Sequence, residues 1–286
     1  MPPSSSYLCS HQYTWPAMNE MPLRAPEDTG DNAPTVNGHN QSILPICASL
    51  AAQVNTFLDT EAPTPLLKAV QEQTRTALGV ISAALERYSL EEISLSYNGG
   101  KDCLVLLILL LCALADYKKG PLPKALATVY IISPHPFAEV DAFVEESSST
   151  YQLDLARYAM PMKEAFQRYL EENKSVKAIL VGTRRTDPHG QNLTHFDETD
   201  SGWPSFMRVH PVIDWHYVEI WAFIRQLQIP YCPLYDQGYT SLGGTTDTHP
   251  NPALKASGDS ETKEKKVFKP AYELTEDDAE RLGRDW

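Results

Sequence analysis

Residues 93–103 read ISLSYNGGKDC, and the fold turns on how this stretch is read. Ile93–Tyr97 is a short strand. It breaks at Asn98-Gly99-Gly100 and runs directly into an apolar helix over 102–116, closed by Lys118-Lys119-Gly120. Two adjacent glycines at such a junction open backbone angles closed to other residues and let the chain approach a ligand closely. The freed N–H groups and the helix N-terminus behind them form an anion cradle. Ser96, Tyr97, Asn98, Gly99 and Gly100 are its candidate residues. Lys101 adds a point charge, and Asp102 either orients the loop or holds Mg2+. The patterns G-x-x-x-x-G-K-[ST] and G-x-G-x-x-G are absent, which disfavours a common NTPase or dinucleotide fold.

A βα rhythm extends outward from this loop. Upstream, a helix is predicted over 44–57. After Pro65, the residues Leu66, Val70, Ala77, Ile81, Ala84 and Tyr88 share one helical stripe. Downstream come strands at Leu126–Ser133, Leu153–Ala159 and Val176–Val181, with helices near Glu139–Tyr151 and Met162–Glu172. Strands alternating with helices, several of them continuously apolar, predict an α/β fold with a mostly parallel sheet covered by helices on both faces. Residues 1–41 are rich in Pro, Ser, Asn and Asp and read as a disordered arm. Residues 183–212 are polar and loop-like. Asp214 is placed to cap a helix carrying Trp215, Ile220, Trp221, Phe223, Ile224 and Leu227. Residues 230–247 are turn-rich, and 248–266 read as a polar surface insertion. A last helix is expected from Thr275, with Thr275 and Asp278 as a capping pair.

Composition narrows the function. The chain has 286 residues, 42% of them hydrophobic, and a formal net charge of −13. An acidic surface repels nucleic acid and anionic membranes, so neither is an expected partner. Phosphate substrates then require positive charge gathered at one site. The longest apolar run, Cys103–Ala115, is shorter than the roughly 20 residues a bilayer requires. The five cysteines form no C-x-x-C pair, which suits a reducing compartment, and the N-terminus has no signal-peptide layout. A cytoplasmic monomer is the expectation.

A second set of residues should face the glycine loop. Gly182-Thr183-Arg184-Arg185-Thr186-Asp187-Pro188 follows the fourth strand, and ligands of open α/β sheets gather at strand carboxyl ends. Arg184 offers phosphate a planar fork. Asp187 either joins Asp102 near Mg2+ or caps a turn. Trp203, beside Pro204 in a polar loop, is either a platform for a planar ring or a core plug, with Arg208 near it for a phosphate. Arg281 and Arg284 are three apart, so on a helix they share one face. There they either flank an anion or lie solvated. Cys103 and Cys232 read as packing residues.

The loop resembles the pyrophosphate-binding loop of the ATP pyrophosphatase superfamily, S-x-G-G-K-D-S. Its departures, Asn98 and Cys103, resemble one branch, the eukaryotic FAD synthases (FMN adenylyltransferases), relatives of 3′-phosphoadenylylsulfate reductases. The strings GTRRTDP (182–188), GWPSFMRVHPVIDW (202–215), IPYCPLYDQGYTSLGG (229–244) and ERLGR (280–284) follow in that family's order. The resemblance implies a PAPS reductase-like sheet with a loop-rich and helical C-terminal extension. Within a single domain over 42–286, residues 42–182 would form the ATP-binding core and 183–286 the flavin-binding portion. It implies ATP and FMN as substrates with Mg2+. The loop at 96–102, with Gly182 and Arg184, would hold ATP phosphates, and Ile131 and Ile132 would lie against adenine. Asp187 would help with metal or orientation. Residues 203–208 would contact flavin. Arg281 and Arg284 would act in catalysis beside FMN, together with Asn98, Asp102 and Asp187. Gly202 stands where the family has an acidic residue before Trp-Pro. The rival readings are a sulfonucleotide reductase, which needs a C-terminal thiol, and a non-catalytic nucleotide-binding protein.

Overall fold

The apolar run behind the glycine pair is a helix, and burial explains its composition. From Leu104 to Leu111 no side chain is more than 1% exposed. A helix that is apolar all round is one enclosed on every side. In the computed structural model of the chain, which describes residues 42–256 and 268–285, this helix is the third of six. They are α1 (Leu44–Asp59), α2 (Pro65–Arg87), α3 (Lys101–Leu114), α4 (Ala138–Thr150), α5 (Met162–Glu172) and α6 (Tyr217–Gln226). Helix α2 starts as its sequence dictates: the Thr64 hydroxyl accepts from the Leu67 N–H at 3.2 Å, and Pro65 occupies the first turn, where no N–H is needed.

The strands are β1 (Ile93–Ser96), β2 (Leu126–Ile131), β3 (Leu153–Tyr158), β4 (Ala178–Leu180), β5 (Phe196–Glu198) and β6 (Met207–Val209). Their order is β3-β2-β1-β4-β6-β5, parallel throughout except for the antiparallel β5–β6 pair at the edge. Alternation along each strand divides the side chains between two cores. Ile93, Leu95, Ala178 and Leu180 join a large core with α1, α2, α3 and α6. Val129 and Ile179 face the other way and meet Phe166 and Tyr169 of α5. Ser94 shares that second face and lies 2.7 Å from the Tyr169 hydroxyl. Helices therefore cover both faces, as the strand pattern predicts.

Four expectations are corrected. The polar stretch 183–212 contains strands β5 and β6, each three residues long and too short to carry an alternating pattern. Asp214 does not cap α6. His216 is the N-cap, with Glu219 accepting from its N–H at 2.8 Å, while Asp214 pairs with Arg185 at 2.7 Å. The helix expected from Thr275 is only a 3-10 turn at Asp277–Ala279, and Thr275 and Asp278 form no capping box. Tertiary bonds hold this segment instead. Asn251 donates to the carbonyls of Ala279 and Glu280 at 2.7 and 3.3 Å, and Asp277 accepts from the Tyr217 N–H at 2.6 Å. Finally, residues 248–256 are no loose insertion. Thr248 bridges to Arg284, Lys255 bridges to Phe268, and Asn251 and Leu254 are buried. The arm at 1–41 and residues 257–266 of the insertion lie outside the described residues. Among the described residues no helix is long and apolar enough to cross a membrane.

Candidate active site

The glycine loop sits at the carboxyl end of β1. Gly99 has φ +73°, and a Cβ there would fall 2.9 Å from Val144 Cγ2 of α4, so both conformation and space demand glycine. The Asn98 side-chain oxygen accepts from the Gly100 N–H at 3.0 Å and from the Cys103 thiol at 2.9 Å. The two departures from the common loop are thus one feature, an internal brace. The Lys101 N–H donates to the Tyr235 hydroxyl at 2.9 Å. Two N–H groups of the cradle are therefore held by the chain itself.

Gly182, at the end of β4, brings the second loop against the first. A Cβ there would lie 2.7 Å from the Cys103 nitrogen and 2.9 Å from its Cα, at the first turn of α3. Beyond it Arg184 is fully buried and forms the hub of a charge cluster. Its Nε lies 2.8 Å from Asp102 Oδ1, and its Nη atoms face Glu280, Asp277 at 3.5 Å and Asp187 at 3.9 Å. Lys101, 1% exposed, pairs with Asp102 at 2.9 Å and with Glu280. Its ammonium is thus held by two carboxylates rather than offered freely to a phosphate. Asp102 and Asp187 do come together, since both contact one guanidinium. Asp187 Oδ2 accepts from the Arg184 N–H at 2.8 Å, and Oδ1 pairs with Arg281 at 3.0 Å.

This cluster fixes its own charge states. Burial opposes the charge on Lys101, but Asp102 and Glu280 outweigh it and hold the ammonium above its ordinary value. Burial likewise opposes ionisation of Asp102. Arg184 and Lys101 prevail and keep its carboxyl below the usual range. Burial pushes the thiols of Cys103 and Cys232 up to about 12 and about 11, so neither supplies a thiolate at neutral pH.

A cavity of about 850 Å³ opens over these loops. Ser96, Tyr97, Asn98, Gly100, Lys101, Asp102, Ile131, Gly182, Asp187, Trp203, Arg208 and Arg281 line it. Gly99, Ile132, Arg184, Pro204 and Arg284 are not part of its wall. Its lining also includes the apolar side chains of Met162, Phe166, Leu193 and Phe206, and the Phe166 and Phe206 rings pack against each other with centroids 5.2 Å apart. Trp203 is 40% exposed there, so it is not a core plug. Arg208 donates to the Glu198 carbonyl at 2.8 Å. Arg281 and Arg284 share no helix face. Arg281 meets Asp187, whereas Arg284 lies under Gly243 with Asp247 at 3.5 Å. Sequence reasoning missed Glu280, Tyr235 and His210. The first two act through partners 179 and 134 residues away, which no local signal reports. Among the described residues no cluster of three or more His, Cys, Asp or Glu is arranged to hold a metal ion.

Comparison with known proteins identifies the family. The phosphoadenosine phosphosulfate reductase domain matches residues 92–168 and 157–250. The probable FAD synthase of Schizosaccharomyces pombe is 43% identical over 227 residues, 78% of this chain and 83% of its own. The flavin adenine dinucleotide synthase of Saccharomyces cerevisiae is 35% identical over 70% of this chain and 73% of its own. The crystal structure of Candida glabrata FMN adenylyltransferase in complex with FMN and the ATP analogue AMPCPP superposes with a TM-score of 0.79. It is 30% identical and covers 85% of this chain and all of its own. Identity of this level over most of both chains, together with the matching domain and the close superposition, leaves one conclusion: the chain belongs to the FAD synthase family.

Proposed function

We propose that the chain transfers AMP from ATP to FMN, giving FAD and pyrophosphate. One observation carries this reading: a single cavity joins the glycine loop, Asp187 and Arg281 to an apolar pocket beside Trp203. A phosphate-rich nucleotide and a planar ring with a phosphate of its own can therefore meet in one space. An FMN phosphate oxygen attacks the α-phosphorus. The bond to the bridging oxygen breaks, and pyrophosphate leaves with the electron pair. The phosphate is already a nucleophile, and the buried thiols are not, so no covalent enzyme intermediate is required. Catalysis is alignment plus charge neutralisation.

In this reading the loop at 96–102 and Gly182 receive the ATP phosphates, and Ile131 with Ile132 borders adenine. Arg184 acts from beneath, fixing Asp102 and Asp187. Trp203, Pro204 and Arg208 form the flavin side. Arg281 neutralises charge where the two phosphates meet, and Arg284 supports it through Ser241, a cavity residue 3.5 Å from its guanidinium. Two carboxylates, Asp102 and Asp187, line the cavity and are paired with Lys101, Arg184 and Arg281. Few hard oxygens beside a space for phosphates would suit Mg2+, an ion that takes one or two carboxylates together with substrate phosphates. Asp102 and Asp187 are its proposed ligands, and when bound the ion offsets phosphate charge. Residues 42–182 and 183–286 form the nucleotide and flavin portions of one domain. A cytoplasmic monomer engaging neither nucleic acid nor membrane accords with the charge of −13.

The test is to incubate the full chain with Mg-ATP and FMN and follow FAD and pyrophosphate. Both should appear in equal amounts. Arg281→Ala should lower kcat at least tenfold, about 1.4 kcal/mol, with a smaller change in FMN affinity, because it meets charge that gathers in the transition state. Absence of FAD, or FAD without pyrophosphate, overturns the reading.

A further inference from the structure

His210 stands immediately after β6, on the wall of the cavity, and is 1% exposed. Neither of its ring nitrogens has a partner at good hydrogen-bond geometry, although the Val181 backbone interacts with the ring. Its backbone, by contrast, is firmly placed. The His210 N–H donates to the His195 carbonyl at 3.0 Å, and its own carbonyl lies 3.0 Å from His195 Nδ1. Buried polar groups are nearly always paired, so an unpaired one on a cavity wall marks where a partner belongs. Strand periodicity puts His210 in line with Arg208 and Phe206, two and four residues back, both lining the same cavity.

The ring is neutral. Burial, reinforced by Arg208 and His195 and opposed by Asp197 and the Val181 backbone, pushes its pKa down to about 4. A neutral imidazole offers one N–H and one bare nitrogen. It therefore suits an uncharged partner carrying donors and acceptors together, and it is a poor match for a phosphate. In the proposed substrates the isoalloxazine edge and ribityl hydroxyls of FMN have this chemistry, as do the adenine edge and ribose of ATP. The place of His210 beside Phe206 and Arg208, on the proposed flavin side, favours FMN.

We propose that His210 is a flavin contact, its ring nitrogens pairing with the uncharged polar groups of FMN. The inference rests on the FMN reading above. Flavin affinity is measured by fluorescence quenching for wild type, His210→Leu and His210→Asn, with Mg-ATP affinity measured in parallel. The leucine variant should bind FMN at least tenfold more weakly, about 1.4 kcal/mol, with Mg-ATP affinity unchanged. The asparagine variant, which keeps a donor and an acceptor, should recover part of the loss. Lumiflavin, which has the ring but no ribityl chain, separates the two sources. A loss shared with FMN places the contact on the ring edge, and a loss confined to FMN places it on the ribityl hydroxyls. Unchanged FMN affinity in a folded variant overturns the proposal, as does an equal loss for Mg-ATP. Should the leucine variant fail to fold, the asparagine variant must itself bind FMN more weakly than wild type, and unchanged affinity there overturns the proposal. FAD formation by wild type alongside normal flavin binding by the variants sinks this inference alone. A wild type that makes no FAD sinks the functional reading.

Discussion

At the scale of single residues, the charges that look made for phosphate are first occupied by carboxylates. Lys101 and Arg184 are both buried, and Glu280 contacts both. Removing one partner of a buried ion pair leaves an uncompensated charge and costs about 3–5 kcal/mol. Glu280→Ala strands two cations, so it should lower stability by at least that order. Glu280→Gln, which keeps the volume and one acceptor, should lose less. Thermal denaturation of the two variants checks this, and an unchanged midpoint in Glu280→Ala would show the cluster to be dispensable. Local chemistry made Gly99, Gly100, Asp102 and Asp187 legible, because each sits in a short string with a physical rationale of its own. Glu280 lies in the ERLGR string, where nothing local distinguishes it from a solvated carboxylate. Its role depends on contacts with Lys101 and Arg184, 179 and 96 residues away.

At the scale of elements, the site is an approach of two strand ends. The loop after β4 reaches the first turn of α3 only because Gly182 has no side chain. A Cβ at Gly182 would meet backbone atoms of Cys103, which cannot rotate away. Gly182→Ala should therefore push the loop carrying Arg184 and Asp187 off α3. A destabilisation of about 1–3 kcal/mol is expected from overpacking, together with weaker ATP binding. Calorimetry and ATP titration of the folded variant check it, and wild-type values for both would mean the two loops do not depend on this contact. The same scale shows where pattern reading stops. The six-residue β2 and β3 and the all-apolar α3 announce themselves. The three-residue β5 and β6 do not, since their pairing partners rather than their own composition make them strands. The C-terminal segment had good helix-start residues, but Asn251 and Thr240 capture its carbonyls.

At the scale of the whole molecule, an acidic chain keeps a neutral histidine and an ionised aspartate inside one site, and this sets its response to pH. His210 titrates at about 4 in the folded chain against an ordinary 6.5. Between these values the unfolded chain binds more protons than the folded one, so stability rises with pH across that window and is complete above it. Asp102, held below its ordinary 3.8, acts in the same direction at lower pH. The stability of its ion pairs is present above the unfolded value and is lost as pH falls through the folded one. Acidification also relieves the repulsion of a chain carrying −13, an opposing effect spread over the surface. Comparing wild type with His210→Leu isolates the histidine, because the surface charge is common to both. Urea unfolding of the ligand-free chains at pH 7 and about pH 5 should show the wild type losing on the order of 2 kcal/mol more than the variant between the two conditions. Equal losses in the two proteins would mean that His210 is free to take up a proton in the folded state, and with it would go the neutral imidazole on which its pairing with the flavin depends.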